Sequence, residues 1–419
     1  MSAIGVVVLI LLAVLFSSNR RAINLRTVLW ALGLQTALGA FALYVPWGQA
    51  TLTAVSDSVS SLQVYADDGI SFLFGPLNST KMFDVFGNQG FIFAIKVLPL
   101  IVFFSAFIAI LYYLGVMNAV NKVLGGGLHR LLGTSRTESI AATANIFVGT
   151  TEAPMVVQPF LASMTRSELF SVMVCGLASV AGSVLIGYAT LGIDLKYLIA
   201  ASFMSAPGGL LMAKLMEPET ETVRDDIKDV EIYPEEKPAN VIDAAAIGVT
   251  TGLHLAMNVG AMLLAFIALI ALFNGLLSWF GGWFGFPHLS MQMMLGYLFS
   301  PLTYLLGVPW SEAVTAGGFI GEKLILNEFV AYVDFAPYLD PAQAAAKGVE
   351  VLSAKTQVIV TFALCGFANI SSIGILLGGL GVMAPTRRQE LARLGLRAVA
   401  AGTLANLMSA ALAGLFVSL

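Results

Sequence analysis

Charged residues are scarce. Only 11% of the 419 residues are Asp, Glu, Lys or Arg, against roughly 25% in a soluble domain, and the mean hydropathy is +0.87. So few charges cannot coat a water-facing surface, which excludes a soluble enzyme of two or three domains. There is no basic excess either: 21 Lys and Arg stand against 25 Asp and Glu, leaving no cationic face for nucleic acid. Cysteine is nearly absent. Cys175 and Cys365 both lie inside apolar runs, so neither a disulfide framework nor a thiolate metal cage is available. The three histidines, His129, His254 and His288, have no metal-ligand spacing. Neither Gly125-Gly-Gly127 nor Gly378-Gly379 has the pattern of a phosphate-binding loop, which argues against a pump with its own ATPase.

What the chain has in abundance is apolar sequence, and its runs are long enough for membrane helices. A bilayer core of about 30 Å takes roughly 20 helical residues. Eight spans are expected, at 4–17, 27–46, 91–114, 168–190, 197–214, 245–273, 356–381 and 397–418. The start of the first has no basic region, and Arg20, Arg21 and Arg26 follow it, so it reads as a span and not as a cleaved signal. The positive-inside rule then orients the whole chain. Segments assigned to the cytoplasm hold Lys122, Arg130, Arg136 and Arg166, then Arg224, Lys228 and Lys237, then Arg387, Arg388, Arg393 and Arg397. The outward segment 47–90 has only Lys81. One orientation satisfies every loop, with both termini outside. The acidic stretch 217–236 reads as a cytoplasmic linker between two halves.

Two apolar segments are interrupted. Residues 138–165 contain Gly149 and Pro154 at a break, with Arg136 and Arg166 flanking both ends, which predicts a re-entrant hairpin from the cytoplasm. Residues 312–333 repeat the arrangement from outside. Irregular backbone at membrane depth survives only where protein or a wet cavity satisfies it. Gly133-Thr-Ser-Arg-Thr-Glu-Ser139 resembles Gly307-Val-Pro-Trp-Ser-Glu-Ala313, and the expected tip glycines, Gly149 and Gly321, are 172 positions apart. An amphipathic helix precedes each hairpin, at 117–132 and 290–306. A related core follows each, Cys175-Gly-Leu-Ala-Ser179 and Cys365-Gly-Phe-Ala-Asn369. The expected fold is therefore an all-α polytopic membrane protein with an inverted internal repeat, the architecture of secondary transporters. It divides into N-terminal helices (1–116), a first repeat (117–214), the linker (215–240) and a second repeat (241–419).

Intramembrane acids are costly and face a functional cavity by default, which singles out Glu152 in the first break and Glu328 on the return arm of the second. Pairing with Lys323 is the other reading of Glu328. Asn369 and Ser372, three residues apart in an expected span, would share a helical face. With the two carboxylates they suit a polyhydroxylated ligand, whereas interhelical packing would use the same pair. Asn145 and Ser179 offer neutral oxygens beside the first break, whose freed carbonyls suit a hard cation.

Three segments carry a family resemblance: Asn145-Ile-Phe-Val-Gly-Thr-Thr-Glu-Ala-Pro154, Asn327-Glu-Phe-Val-Ala331 and Cys365-Gly-Phe-Ala-Asn-Ile-Ser-Ser-Ile-Gly374. They resemble the signature segments of the concentrative nucleoside transporters, and the similarity runs over essentially the whole chain. The resemblance implies a homotrimer of the inner membrane that moves nucleosides such as uridine with sodium or protons by an elevator-like motion, and no organic cofactor. It implies base contacts from Thr151 and Glu152, ribose contacts from Glu328, Asn369 and Ser372, and Phe367 close to the ligand. Sodium would sit between Asn145, Ser179 and the main-chain carbonyls of Val148 and Val180. Thr150 stands where the family usually has Gln, so a shorter hydroxyl replaces an amide at the base. The expected function is sodium-coupled nucleoside symport. Proton coupling through Glu152 or Glu328 is the rival within transport, and an intramembrane enzyme acting on a lipid-linked substrate is the rival from another class.

Overall fold

The computed structural model describes residues 1–79, 81–86, 90–223 and 238–418. Most of the acidic linker, including Arg224, Lys228 and Lys237, lies outside these residues. Among the described residues every regular element is a helix. The main ones are α1 (Ser2–Leu15), α2 (Leu25–Leu43), α3 (Pro46–Phe74), α4 (Leu98–Tyr113), α5 (Val116–Leu132), α6 (Arg136–Ala144), α7 (Arg166–Ala178), α8 (Gly182–Thr190) and α9 (Leu195–Met216). After the linker come α10 (Val241–Gly282), α11 (Met291–Leu306), α12 (Trp310–Ile325), α13 (Glu328–Phe335), α14 (Ala354–Leu364), α15 (Ser372–Met383) and α16 (Arg388–Phe416).

Among the described residues, six helical stretches are long and apolar enough to cross a membrane, and they coincide with six of the eight expected spans. Of the other two, α1 has the 14 residues expected of it, fewer than a full crossing takes, and the expected span 356–381 is split into α14 and α15 by an unwound stretch. A further helix was not anticipated: α3 runs for 29 residues inside the expected outward segment. Its serines, glutamines and aspartates hide it from a hydropathy search, while Pro46 at its first turn supplies a start.

Local chemistry explains several helix ends. Ser135 and Thr165 each accept from the backbone N–H three residues on, and Glu138 and Glu168 reach back, so α6 and α7 both begin with a complete capping box. α5 and α11 both end on a glycine with positive φ, Gly133 at 68° and Gly307 at 109°, the left-handed cap that glycine adopts without strain. α11 and α12 then meet at a bend of 115°.

The order of elements occurs twice. α5, α6, a break, a short helical return, α7, a second break, α8 and α9 are matched by α11, α12, a break, α13, α14, a second break, α15 and α16. α7, α9, α14 and α16 pack together at the centre. The stretch through α7 and α8 is 94% buried at its most apolar window, whereas that of α10 is 22% buried, so the apolar faces of the outer helices point away from the protein. α10 grips α4 at Gly248 and Gly252. A Cβ at either glycine would lie 2.6–2.8 Å from the backbone of Ala106 or Val102, so the small-xxx-small spacing brings two helix backbones together.

Candidate functional site

Four breaks meet at the centre of the molecule. Residues 145–152 separate α6 from its return. Gly182 N donates to Phe147 O at 3.0 Å, joining this break to the α7–α8 break. On the other repeat, Ile370 N donates to Leu324 O at 3.1 Å, joining the α14–α15 break to the end of α12. Phe367 N donates to Ser179 O at 3.1 Å and links the two repeats. Backbone groups freed by unwinding thus satisfy one another across the molecule, as buried polar groups must.

Glu328, the first residue of α13, is buried. Its Oε1 accepts from Tyr188 Oη at 3.1 Å and its Oε2 from Asn369 Nδ2 at 3.2 Å. Asn369 Oδ1 accepts from Ser371 Oγ at 2.7 Å, Ser372 N at 2.9 Å and Ser372 Oγ at 3.0 Å. Those bonds fix the Asn369 amide so that its NH2 faces the carboxylate. The expectation that Asn369 and Ser372 share a helical face is corrected here. Asn369 lies in unwound chain and Ser372 opens α15, because the asparagine side chain takes over backbone donors that a helix would use. The two residues still meet, through a cap in place of a face. Nor does Lys323 form the salt bridge that was the alternative for Glu328. Its Nζ donates to Ala363 O and Asn406 Oδ1, each at 2.7 Å.

The turn of the second interrupted segment also differs from the expected place. Gly321 lies inside α12, where a Cβ would meet Leu295 Cβ at 2.6 Å. Close helix packing accounts for that glycine, and the chain turns at Leu326 and Asn327. Asn327 caps α13 by accepting from Val330 N at 3.0 Å.

In the first break, Glu152 Oε2 accepts from Gly149 N at 3.2 Å. Thr150 is buried, and its hydroxyl donates to Gly176 O at 3.0 Å, toward α7. Thr151 packs beside α15, so close that a Cβ on Gly379 would lie 2.5 Å from its methyl group. Asn145 is fully enclosed. Its Nδ2 donates to Ala141 O at 2.8 Å, while Oδ1 has no hydrogen-bond partner. Ser179 Oγ donates to Cys175 O at 3.0 Å, leaving its lone pairs to accept. An orphaned amide oxygen, a hydroxyl and unwound backbone form an all-oxygen set suited to a hard monovalent cation.

A cleft of 550 Å³ opens beside the first break, lined among others by Tyr112, Asn118, Phe147, Val148, Glu152 and Ser183. Of the candidate residues only Val148 and Glu152 line it. Glu328, Asn369 and Ser372 are enclosed, at 3%, 2% and 2% exposure. Sequence reasoning missed Tyr188 and Asn406. Asn406 Nδ2 donates to Ala178 O at 2.6 Å and to Cys365 O at 2.9 Å, tying one break of each repeat together. An asparagine in an apolar C-terminal span was the available signal for it. Tyr188 gave none.

Comparison with known proteins adds to this geometry. Three family profiles match in sequence: "Na+ dependent nucleoside transporter N-terminus" over residues 4–77, "Nucleoside recognition" over 94–194 and "Na+ dependent nucleoside transporter C-terminus" over 197–414. The nucleoside permease NupC of Helicobacter pylori is 52% identical over 418 residues, covering 100% of this chain and 98% of that protein. The putative nucleoside permease NupX of Escherichia coli is 46% identical, covering 100% and 99%. The structure of CNTnw in an inward-facing, substrate-bound state superposes with a TM-score of 0.94 at 56% identity, covering 100% of this chain and 97% of that one. Matched along its whole length in sequence and in fold, the chain belongs to the concentrative nucleoside transporter family, which consists of multi-pass membrane transporters and not of enzymes.

Proposed function

We propose that the protein is a sodium-coupled nucleoside symporter of the cytoplasmic membrane, working by alternating access as a homotrimer. In this reading Thr150, Thr151 and Glu152 face the base, while Glu328, Asn369 and Ser372 hold the ribose hydroxyls beside Phe367. Sodium, as co-substrate, binds Asn145, Ser179 and the carbonyls of Val148 and Val180. The observation that carries it is the buried, unpartnered Oδ1 of Asn145 within a break that abuts the Ser179 break. An amide oxygen left without a donor in a buried site is costly, and a cation offsets that cost. The cap that presents Glu328 and Asn369 supports ribose binding, since a carboxylate and an amide offer acceptor and donor together to neighbouring hydroxyls.

The Thr150 hydroxyl already serves α7, so base discrimination falls chiefly to Thr151 and Glu152. The repeated order of elements supports division at 117, 215 and 241, with 138–165 and 312–333 entering the membrane from opposite sides and both termini outside. The enclosure of the ribose cluster fits a mechanism in which one part moves against another to expose it. The deciding experiment is uridine accumulation by vesicles under an imposed sodium gradient, with matched potassium and choline controls. Accumulation of unmodified uridine only under sodium is expected. Accumulation that follows a pH gradient and ignores sodium would overturn the coupling and leave nucleoside transport standing.

A further inference from the structure

Another buried acid lies on α12 with no ion pair or cap among the described residues to account for it. Glu322, on α12, is 0% exposed, and neither of its carboxylate oxygens has a hydrogen-bond partner. It faces Asp334 on α13, Gln292 at the start of α11, and Lys347 in the short helix Pro341–Lys347. Tyr338, in the turn after α13, faces both acids. Asp334 is half-buried, and together with Gln292, Tyr338 and Lys347 it lines a cleft of 390 Å³. The carboxyl pair therefore has one enclosed member and one at an opening.

Two carboxylates facing each other in an enclosed site cannot both stay ionised without a compensating positive charge. Lys347 faces Glu322 but is exposed at the cleft, so water screens the compensation it offers. Gln292 spends its amide oxygen in accepting from Asn274 Nδ2 at 2.9 Å, which leaves its NH2, a donor, for the acid. A metal cation would need several oxygen ligands besides the two acids, and although the cleft carries the hydroxyls of Thr315, Tyr297 and Tyr338, none of them bonds Glu322. A proton needs only the two carboxyl groups. We infer that Glu322 and Asp334 form a proton-binding site, independent of the Asn145 and Ser179 oxygens, in which Glu322 holds the proton and donates it to Asp334 and the 390 Å³ cleft is the route to water.

Infrared difference spectroscopy of the purified full-length protein reads protonated carboxyl groups directly by their C=O stretch. Wild type at neutral pH, in sodium-free buffer, should show a carboxyl band that disappears on alkaline titration and is deleted by Glu322→Gln. Asp334→Asn changes the hydrogen-bond acceptor of the Glu322 hydroxyl and should move the frequency of the same band. A Glu322→Gln spectrum identical to wild type would overturn the assignment. So would a wild-type band that vanishes at fixed pH on adding sodium chloride in place of choline chloride, because the pair would then be holding the metal. Should Glu322→Gln fail to elute as a folded species in gel filtration, Asp334→Asn decides alone, and an unmoved band refutes the site. None of these readouts requires transport, so the outcome is separate from that of the sodium-coupling experiment.

Discussion

Glu328 is held from two sides before any ligand arrives, by the Tyr188 hydroxyl and the Asn369 amide. A hydrogen bond to a charged group contributes about 1.5–3 kcal/mol, and Glu328→Gln exchanges that acceptor for a neutral amide of the same shape. Uridine binding measured by calorimetry should weaken about tenfold or more, with the protein still eluting as a folded oligomer. Wild-type affinity in that variant would reduce Glu328 to a structural role. Asn145→Ala acts differently, since it removes the orphaned oxygen and, in the proposed reading, nothing that contacts nucleoside. Where one ligand organises the site of another, each tightens the other by the same factor, typically about 5- to 150-fold. The dependence of uridine affinity on sodium should therefore shrink in Asn145→Ala, while affinity at saturating sodium changes less. An undiminished sodium dependence would exclude Asn145 as a ligand. Glu152 and Glu328 were legible in the sequence because a charge inside an interrupted apolar run is expensive and stands out. Tyr188 was not, because a tyrosine near a helix end is commonplace and its partner lies 140 residues away.

The breaks are the elements on which everything turns, and they were unequally visible. Gly149 and Pro154 marked the first. The second hairpin was expected correctly as an interrupted segment, but its turn was placed at Gly321 when that glycine serves close packing against Leu295. The unwinding of 365–371 was not foreseen, because the stretch is as apolar as a span and its only sign is a run of small and polar residues. Gly366 shows why the break must be small there. A Cβ would lie 2.3 Å from Asn406 Oδ1 and 2.5 Å from Nδ2, inside the amide that joins Ala178 O to Cys365 O. Gly366→Ala should push Asn406 off these carbonyls and cost about 1–3 kcal/mol, the usual range for overpacking. A thermal melt followed by tryptophan fluorescence in detergent would detect the loss. A melting temperature equal to wild type would mean the break relaxes freely. Asn406→Ala with Gly366→Ala should then cost less than the sum of the two, because both act on one contact.

At the scale of the molecule, a closely packed centre is surrounded by helices whose apolar faces point outward; composition announced the membrane protein, and the coordinates were needed to separate centre from surround. Sidedness can be tested with the chain's own chemistry. Cys175 and Cys365 are each 1% exposed, so the wild type is a silent background for thiol labelling. An impermeant maleimide applied to intact cells should label His288→Cys and should leave Ala239→Cys unmodified until the cells are permeabilised. The reverse pattern would invert the proposed orientation. α3 was missed because polar residues interrupt it throughout, and helices of that kind are fixed by their neighbours more than by their own hydropathy. The length of α10 has a consequence of another kind. Its 42 residues extend for about 63 Å at 1.5 Å per residue, twice the hydrocarbon thickness of about 30 Å. Such a helix fits a bilayer only by leaning steeply or by protruding, and the angle it settles at depends on how thick the lipid is. Because α10 is locked to α4 at Gly248 and Gly252, any change in its tilt is passed to the helix that lines the 550 Å³ cleft. Acyl-chain length then becomes a control on the transporter, and reconstitution in a series of phosphatidylcholines from short to long chains should give uptake with a maximum at one thickness instead of a plateau.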